Sequence, residues 1–134
     1  MLRYMLDTDM CSYLIRGGMP GLDAKVAKSP PASLCMSVVT RAELLFGVER
    51  KGRPAKLAAL VGRFLQQVPS LSWNDDAAYV YAQVRSEMES AGKLIGNLDI
   101  LIAAHALAAE LILVTNNERH FKRVPGLRLE NWAE

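Results

Sequence analysis

Cysteine and histidine are scarce in this chain, with two of each among 134 residues. Cys11 and Cys35 are too few for a disulfide framework. Both lie in apolar runs and read as small buried hydrophobes. No Cys/His cluster has the spacing of a zinc site. A surplus of one charge is missing as well. Lys plus Arg is 16 and Asp plus Glu is 14, a net charge of +2, too weak to announce nucleic-acid binding by itself. No run reaches the ~18 uncharged apolar residues of a membrane span, because the most apolar stretch, residues 98–113, carries Asp99, His105 and Glu110. The opening residues meet Asp7 before a signal peptide's apolar region of about 7–15 residues can form. A soluble, cytoplasmic protein is therefore expected. There is no internal repeat and no G-x-x-x-x-G-K-[ST] phosphate loop. Neither Ser12 nor Ser37 has a histidine at readable spacing, so serine hydrolysis finds no support.

What is present is a globular composition, 51% hydrophobic and 22% charged, on a length that fits one domain over residues 1–134. Short apolar runs alternate with helical patterns. Strands are expected at residues 3–6, 34–39, 71–73, 111–115 and 127–129. Asp9 offers a cap for a first helix and Pro20 starts a second. Thr40-Arg41-Ala42-Glu43 has capping-box spacing before a helix from about Arg41 to Arg50. Leu57, Leu60, Val61, Phe64, Leu65 and Val68 recur at helical spacing. Asn74 or Asp75 caps a long helix to Ala91, and Asn97 one over residues 98–110 that is apolar nearly all round, hence buried. Residues 116–117 read as a turn and 121–125 as loop. Strands separated by helices imply right-handed crossovers and a parallel sheet covered on both faces.

The chemistry lies in where the acids fall. Asp7 ends the first strand, Glu43 lies in the helix after the second, and Asn116, Asn117 and Glu118 follow the strand at 111–115. In an open parallel sheet the carboxyl ends of the strands form one edge, where ligands bind. Asp99 joins that edge if its helix starts there. Carboxylates gathered without a paired lysine or arginine repel one another, and a hard divalent cation removes the conflict. Oxygen donors favour Mg²⁺ or Mn²⁺, and such a site suits phosphodiester hydrolysis. Plainer readings stand beside these. Glu43 completes the capping box, Asp99 complements its helix dipole, and Asp9 is a cap or first-turn charge. Asp7 resists such a reading, because a carboxylate directly after a buried strand needs hydrogen bonds or a cation. His105 projects from a different side of its helix than Asp99 and reads as a packed or interface residue; His120 reads as solvated. Two basic clusters, Arg50/Lys51/Arg53/Lys56 and Arg119/Lys122/Arg123/Arg128, suit either a phosphate track or ordinary surface.

Four stretches, taken in order, carry a resemblance: residues 5–9 (MLDTD), 39–47 (VTRAELLFG), 95–106 (IGNLDILIAAHA) and 113–117 (LVTNN), with Phe121 and the VPGL run at 124–127. They resemble PIN-domain ribonucleases, specifically VapC-type toxins of bacterial toxin–antitoxin pairs, over essentially the whole chain. The resemblance implies an α/β fold with a parallel sheet of four to five strands in the order 3-2-1-4-5. It implies a Mg²⁺- or Mn²⁺-dependent endoribonuclease whose metal-binding acids map onto Asp7, Glu43 and Asp99. Where the family often has a fourth acid, this chain has Asn117, which ligates through its amide oxygen or through water unless Glu118 helps. Asp7 and Asp99 would hold the principal ion, and Glu43 would complete the site or orient the attacking water. Thr8 and Thr115 are candidates to hydrogen-bond the carboxylates or the scissile phosphate. The TNN pattern is similar to toxins that cut initiator tRNA in its anticodon loop. A homodimer, a VapB-type antitoxin inserting into the acid edge, and promoter DNA bound only through that antitoxin are implied too. Two rivals remain. One is a haloacid-dehalogenase-like phosphatase using Asp7 in its D-x-D; the other is a non-catalytic interaction module, for which Asn116-Asn117 leaves room.

Overall fold

Short apolar segments and helices alternate from the first residues onward. In the computed structural model, which describes residues 1–133, they form β1 (Tyr4–Leu6), α1 (Thr8–Arg16), α2 (Pro20–Lys28), β2 (Leu34–Ser37), α3 (Val38–Arg50), α4 (Ala55–Gln67), β3 (Ser70–Leu71), α5 (Asp75–Ser90), α6 (Asn97–Ala108), β4 (Ile112–Val114), α7 (Glu118–Phe121) and β5 (Leu129–Glu130). The five strands make one sheet in the order β3-β2-β1-β4-β5, every pairing parallel. Met5 sits opposite both Cys35 and Leu113. β1 is thus central, and the strand order reverses direction around it, which is where parallel sheets open a crevice.

Alternation along the strands divides the core in two. Met5, Cys35 and Leu113 face one layer, where α5, α6 and α7 supply Val84, Met88, Ile100, Ile102, Ala103 and Phe121. Leu6, Leu34, Met36 and Val114 face the other, filled by Met10, Leu22, Leu44, Val61 and Phe64 from the first four helices. Both cysteines are free and buried, as expected. The helix at 97–108 is buried at Ile100 and from Ile102 to Ala106, and Trp73 closes one side of it by donating its indole N–H to the Leu101 carbonyl at 3.0 Å.

The helix starts differ from the sequence expectation, and each difference has a local cause. α1 begins at Thr8, capped by Asp7 rather than Asp9; the Asp7 carboxylate accepts the Met10 N–H at 2.8 Å. α3 begins at Val38, three residues early, because Ser37 ends β2 and caps the helix by accepting from Val39 N–H at 3.1 Å. The Thr40–Glu43 capping box therefore does not exist. α6 begins at Asn97 itself, with Gly96 at the cap and no side-chain cap bond. A one-turn helix, α7, follows the expected turn at 116–117 and takes in Phe121, the first residue of the expected loop. No helix among the described residues is long and apolar enough to cross a membrane.

Candidate active site

Because all strands run the same way, β1, β2 and β4 end on one edge. The Asp7 N–H donates to the Val114 carbonyl at 3.0 Å, so Asp7 follows β1 directly beside the end of β4. Its side chain is 4% exposed. Burial raises its pKa from 3.8 to about 6; the Thr115 hydroxyl and the Met10 N–H pull it down, and the charges of Asp9 and Asp99 push it up again. Thr115 is fully buried and accepts the Asn117 N–H at 2.9 Å, which fixes its hydroxyl between Asp7 and the turn that follows β4.

Glu43 stands one turn into α3 and is half-buried. Its partner is Thr8, whose hydroxyl donates to Glu43 Oε1 at 2.6 Å. The Thr8 hydroxyl hydrogen being spent there, the fully buried Thr40 hydroxyl, 3.1 Å away, donates to Thr8. Thr40 and Glu43 thus serve a chain of hydroxyls that runs to α1, not a helix cap. Glu43 has its pKa raised, first by burial and further by the charges of Asp99 and Asp9.

Asp99 lies in the first turn of α6, and that turn starts at the same edge. Its pKa is also raised, by burial and by Asp9, against a lowering contact from His120. His120 Nε2 is 3.0 Å from Asp99 Oδ2. Asp99 thus lies within electrostatic reach of both Asp7 and Glu43, and two residues join them that sequence reasoning had placed elsewhere. Asp9, in the first turn of α1, acts by its charge on all three acids; the D-T-D spacing was its one signal. His120 is not free in solvent but holds an acid, and nothing in its local sequence foretold that. Asn117 is exposed and caps α7 through its main chain.

The remaining histidine is structural. His105, 3% exposed, contacts Ser37 Oγ through Nδ1 at 2.7 Å. Burial lowers its pKa, with a main-chain contact to Ser72 opposing. Ser37 thus does have a histidine partner, 68 residues away. The pair is sealed in the core and offers no nucleophile.

The electrostatic character of the edge is uncompensated negative charge. Among the described residues Arg53 pairs with Glu49 at 3.4 Å, and the His120 imidazole beside Asp99 carries charge only when protonated. Among the described residues no lysine or arginine forms an ion pair with Asp7, Asp9, Glu43 or Asp99. Among the described residues no three of His, Cys, Asp and Glu stand close enough together to hold a metal ion as they are placed. The donors are nearly all hard oxygens, which fits a small hard divalent ion. Beside them a groove of about 940 Å³ runs from Thr8 and Glu43 across Val39, Leu44, Phe46, Leu57, Val61 and Leu98 to Arg16, Arg50 and Lys51.

The PIN domain family model matches residues 4–127. The chain belongs to the PIN domain family. Among PIN domain relatives, it is 39% identical to ribonuclease VapC2 of Haemophilus influenzae, over 99% of this chain and 100% of that one. It is 36% identical to the tRNA(fMet)-specific endonuclease VapC of Shigella flexneri, over the same shares. Its fold superposes with TM-score 0.91 on the crystal structure of Rickettsia felis VapBC2 bound to a DNA fragment from their promoter, at 33% identity and covering 98% of this chain and 99% of that one. The PIN domain assignment removes the phosphatase rival, whose support was the D-x-D fragment alone.

Proposed function

We propose that this chain is a divalent-metal-dependent endoribonuclease, the toxin of a toxin–antitoxin pair. The observation that carries the reading is the set of uncompensated, half-buried to buried carboxylates at the switch point of the sheet, each with a raised pKa. The ribonuclease names of full-length relatives support the RNA substrate. Asp7, Glu43 and Asp99 would hold Mg²⁺ or Mn²⁺, and Asn117, exposed in the turn after β4, would join them through its amide oxygen or a water. When bound, the ion activates water and offsets charge at the scissile phosphate. The chain's own residues do the rest. Asp7, pinned by Met10 N–H, offers its other oxygen to the site. Thr8 orients Glu43 through Oε1, and Thr115 fixes Asp7 from the β4 side. Asp9 adds negative charge that strengthens cation capture.

The substrate we assign is initiator tRNA, cut in its anticodon loop, on the strength of the TNN sequence after β4 and the tRNA(fMet)-specific relative. Cytoplasmic location goes with that substrate. A VapB-type antitoxin is the partner: an apolar segment of it fills the groove beside Glu43, and promoter DNA is bound through it, in keeping with the VapBC2–promoter structure. The chain acts as a homodimer, which leaves the groove to the antitoxin.

The test is to incubate purified protein with total RNA, with and without Mg²⁺, and map new 5′ ends. Metal-dependent cuts in the initiator tRNA anticodon loop, absent with Asp99→Ala, support the reading. Cutting that persists in chelator, or identical cutting by Asp99→Ala, overturns it. No cutting under any divalent ion favours the non-catalytic module.

A further inference from the structure

We infer that His120 is a positioning residue for the metal site, holding Asp99 Oδ2 through Nε2 so that the other carboxylate oxygen faces the ion. The inference rests on the metal reading above and adds to it a residue from outside the acid set. Three observations carry it. The contact is short, 3.0 Å between heavy atoms, and joins side chains 21 residues apart. The histidine is itself held. It lies on α7, whose next residue, Phe121, is 2% exposed in the core and meets the imidazole edge-on at 5.6 Å between ring centroids. The end of that turn also reaches the loop before α6, where Arg123 Nη1 donates to the Leu94 carbonyl at 3.4 Å. Asp99, by contrast, lacks restraint of its own. Its side chain is 40% exposed, and no other hydrogen bond to it is formed among the described residues. A carboxylate in that state spreads over several rotamers, and His120 selects one.

A carboxylate held at one oxygen presents the other in a fixed direction, which is how hydrogen-bonded neighbours tune metal ligands. Glu43 is treated the same way by Thr8. The two acids that are not directly after a strand thus each have a dedicated donor, while Asp7 is positioned by the main chain and Thr115.

The experiment is Mn²⁺ titration of the purified chain followed by the electron paramagnetic resonance signal of free Mn²⁺, on wild type, His120→Ala and His120→Gln, with thermal unfolding in chelator to verify each fold. Glutamine carries a neutral N–H donor that can take the place of Nε2. Loss of the donor is expected to weaken Mn²⁺ binding about 10–100-fold, and His120→Gln to recover most of that loss. If His120→Ala does not fold, His120→Leu against His120→Gln makes the same comparison. Wild-type affinity in the donor-less variant overturns the inference while leaving the metal reading intact. His120→Gln as weak as His120→Ala overturns it too, since the imidazole would then ligate the ion directly. Wild type that takes up no Mn²⁺ overturns both.

Discussion

Replacing Asp7 by asparagine is expected to stabilise the metal-free protein while abolishing its chemistry. The Asp7 carboxyl titrates near 6 in the folded chain against an ordinary value of 3.8. A raised carboxyl pKa means that the folded chain binds more protons than the unfolded chain between those values, so stability falls as pH rises through that window and stays low above it. The gap between 3.8 and about 6 corresponds to a penalty of about 3 kcal/mol at pH 7.5. Asparagine removes the charge. It caps helices as well as aspartate does, so the bond from Met10 N–H survives. The help that the Thr115 hydroxyl gives the charged carboxylate is already contained in that shift, and the asparagine carbonyl still accepts from it. The gain is about 3 kcal/mol, or roughly 9–15 °C in Tm for a chain of this length. By pH 4.5 the native carboxyl of wild type is protonated and the advantage shrinks to about 1 kcal/mol. Thermal unfolding in chelator at pH 7.5 and 4.5 measures both. A lower Tm for Asp7→Asn at pH 7.5, or an increment that does not change with pH, would refute the claim that this carboxylate is held in the fold at a cost.

Two further outcomes follow from local geometry. Glu110 closes α6 at φ 58°, a left-handed conformation that costs a side chain energy. Its contact with Arg128 Nη2 uses the main-chain carbonyl, so Glu110→Gly should stabilise by about 1 kcal/mol in denaturant unfolding; a loss of stability would contradict the reading of that turn. Thr8→Val removes the donor on Glu43 and strands the Thr40 hydroxyl. RNA cleavage should fall about 10–100-fold in kcat with KM little altered, and an unchanged kcat would show that Glu43 needs no such support.

How far the sequence alone reached depended on distance along the chain. The amphipathic stripe of α4 and the cap of α5 by Asn74 are local, and both hold, with the Asn74 side chain accepting Ala77 N–H at 3.0 Å. The acid edge was legible because parallel strands put their carboxyl ends together whatever the details. The strand order was legible only through family resemblance, since no local signal places β4 beside β1. Glu43 was legible as a site acid and Thr8 as a donor to a carboxylate, but that Glu43 caps no helix, and that His120 holds an acid, were not legible. Glu43 fits a capping box by spacing, and the competing hydroxyl arrives from Thr8, 35 residues away. His120 sits in a helix of four residues, too short to show a period, and its partner is set by how α6 and α7 dock. Ser37 and His105 were likewise separated by too much chain to be paired by eye.

The account turns on whether the three acids share one cation. Crystals soaked in Mn²⁺ and measured at the manganese absorption edge test this directly. An anomalous peak between Asp7, Glu43 and Asp99, lost in crystals of Asp99→Asn, is the predicted result. A well-ordered edge with no peak there, or manganese bound only at a different place on the surface, would contradict it.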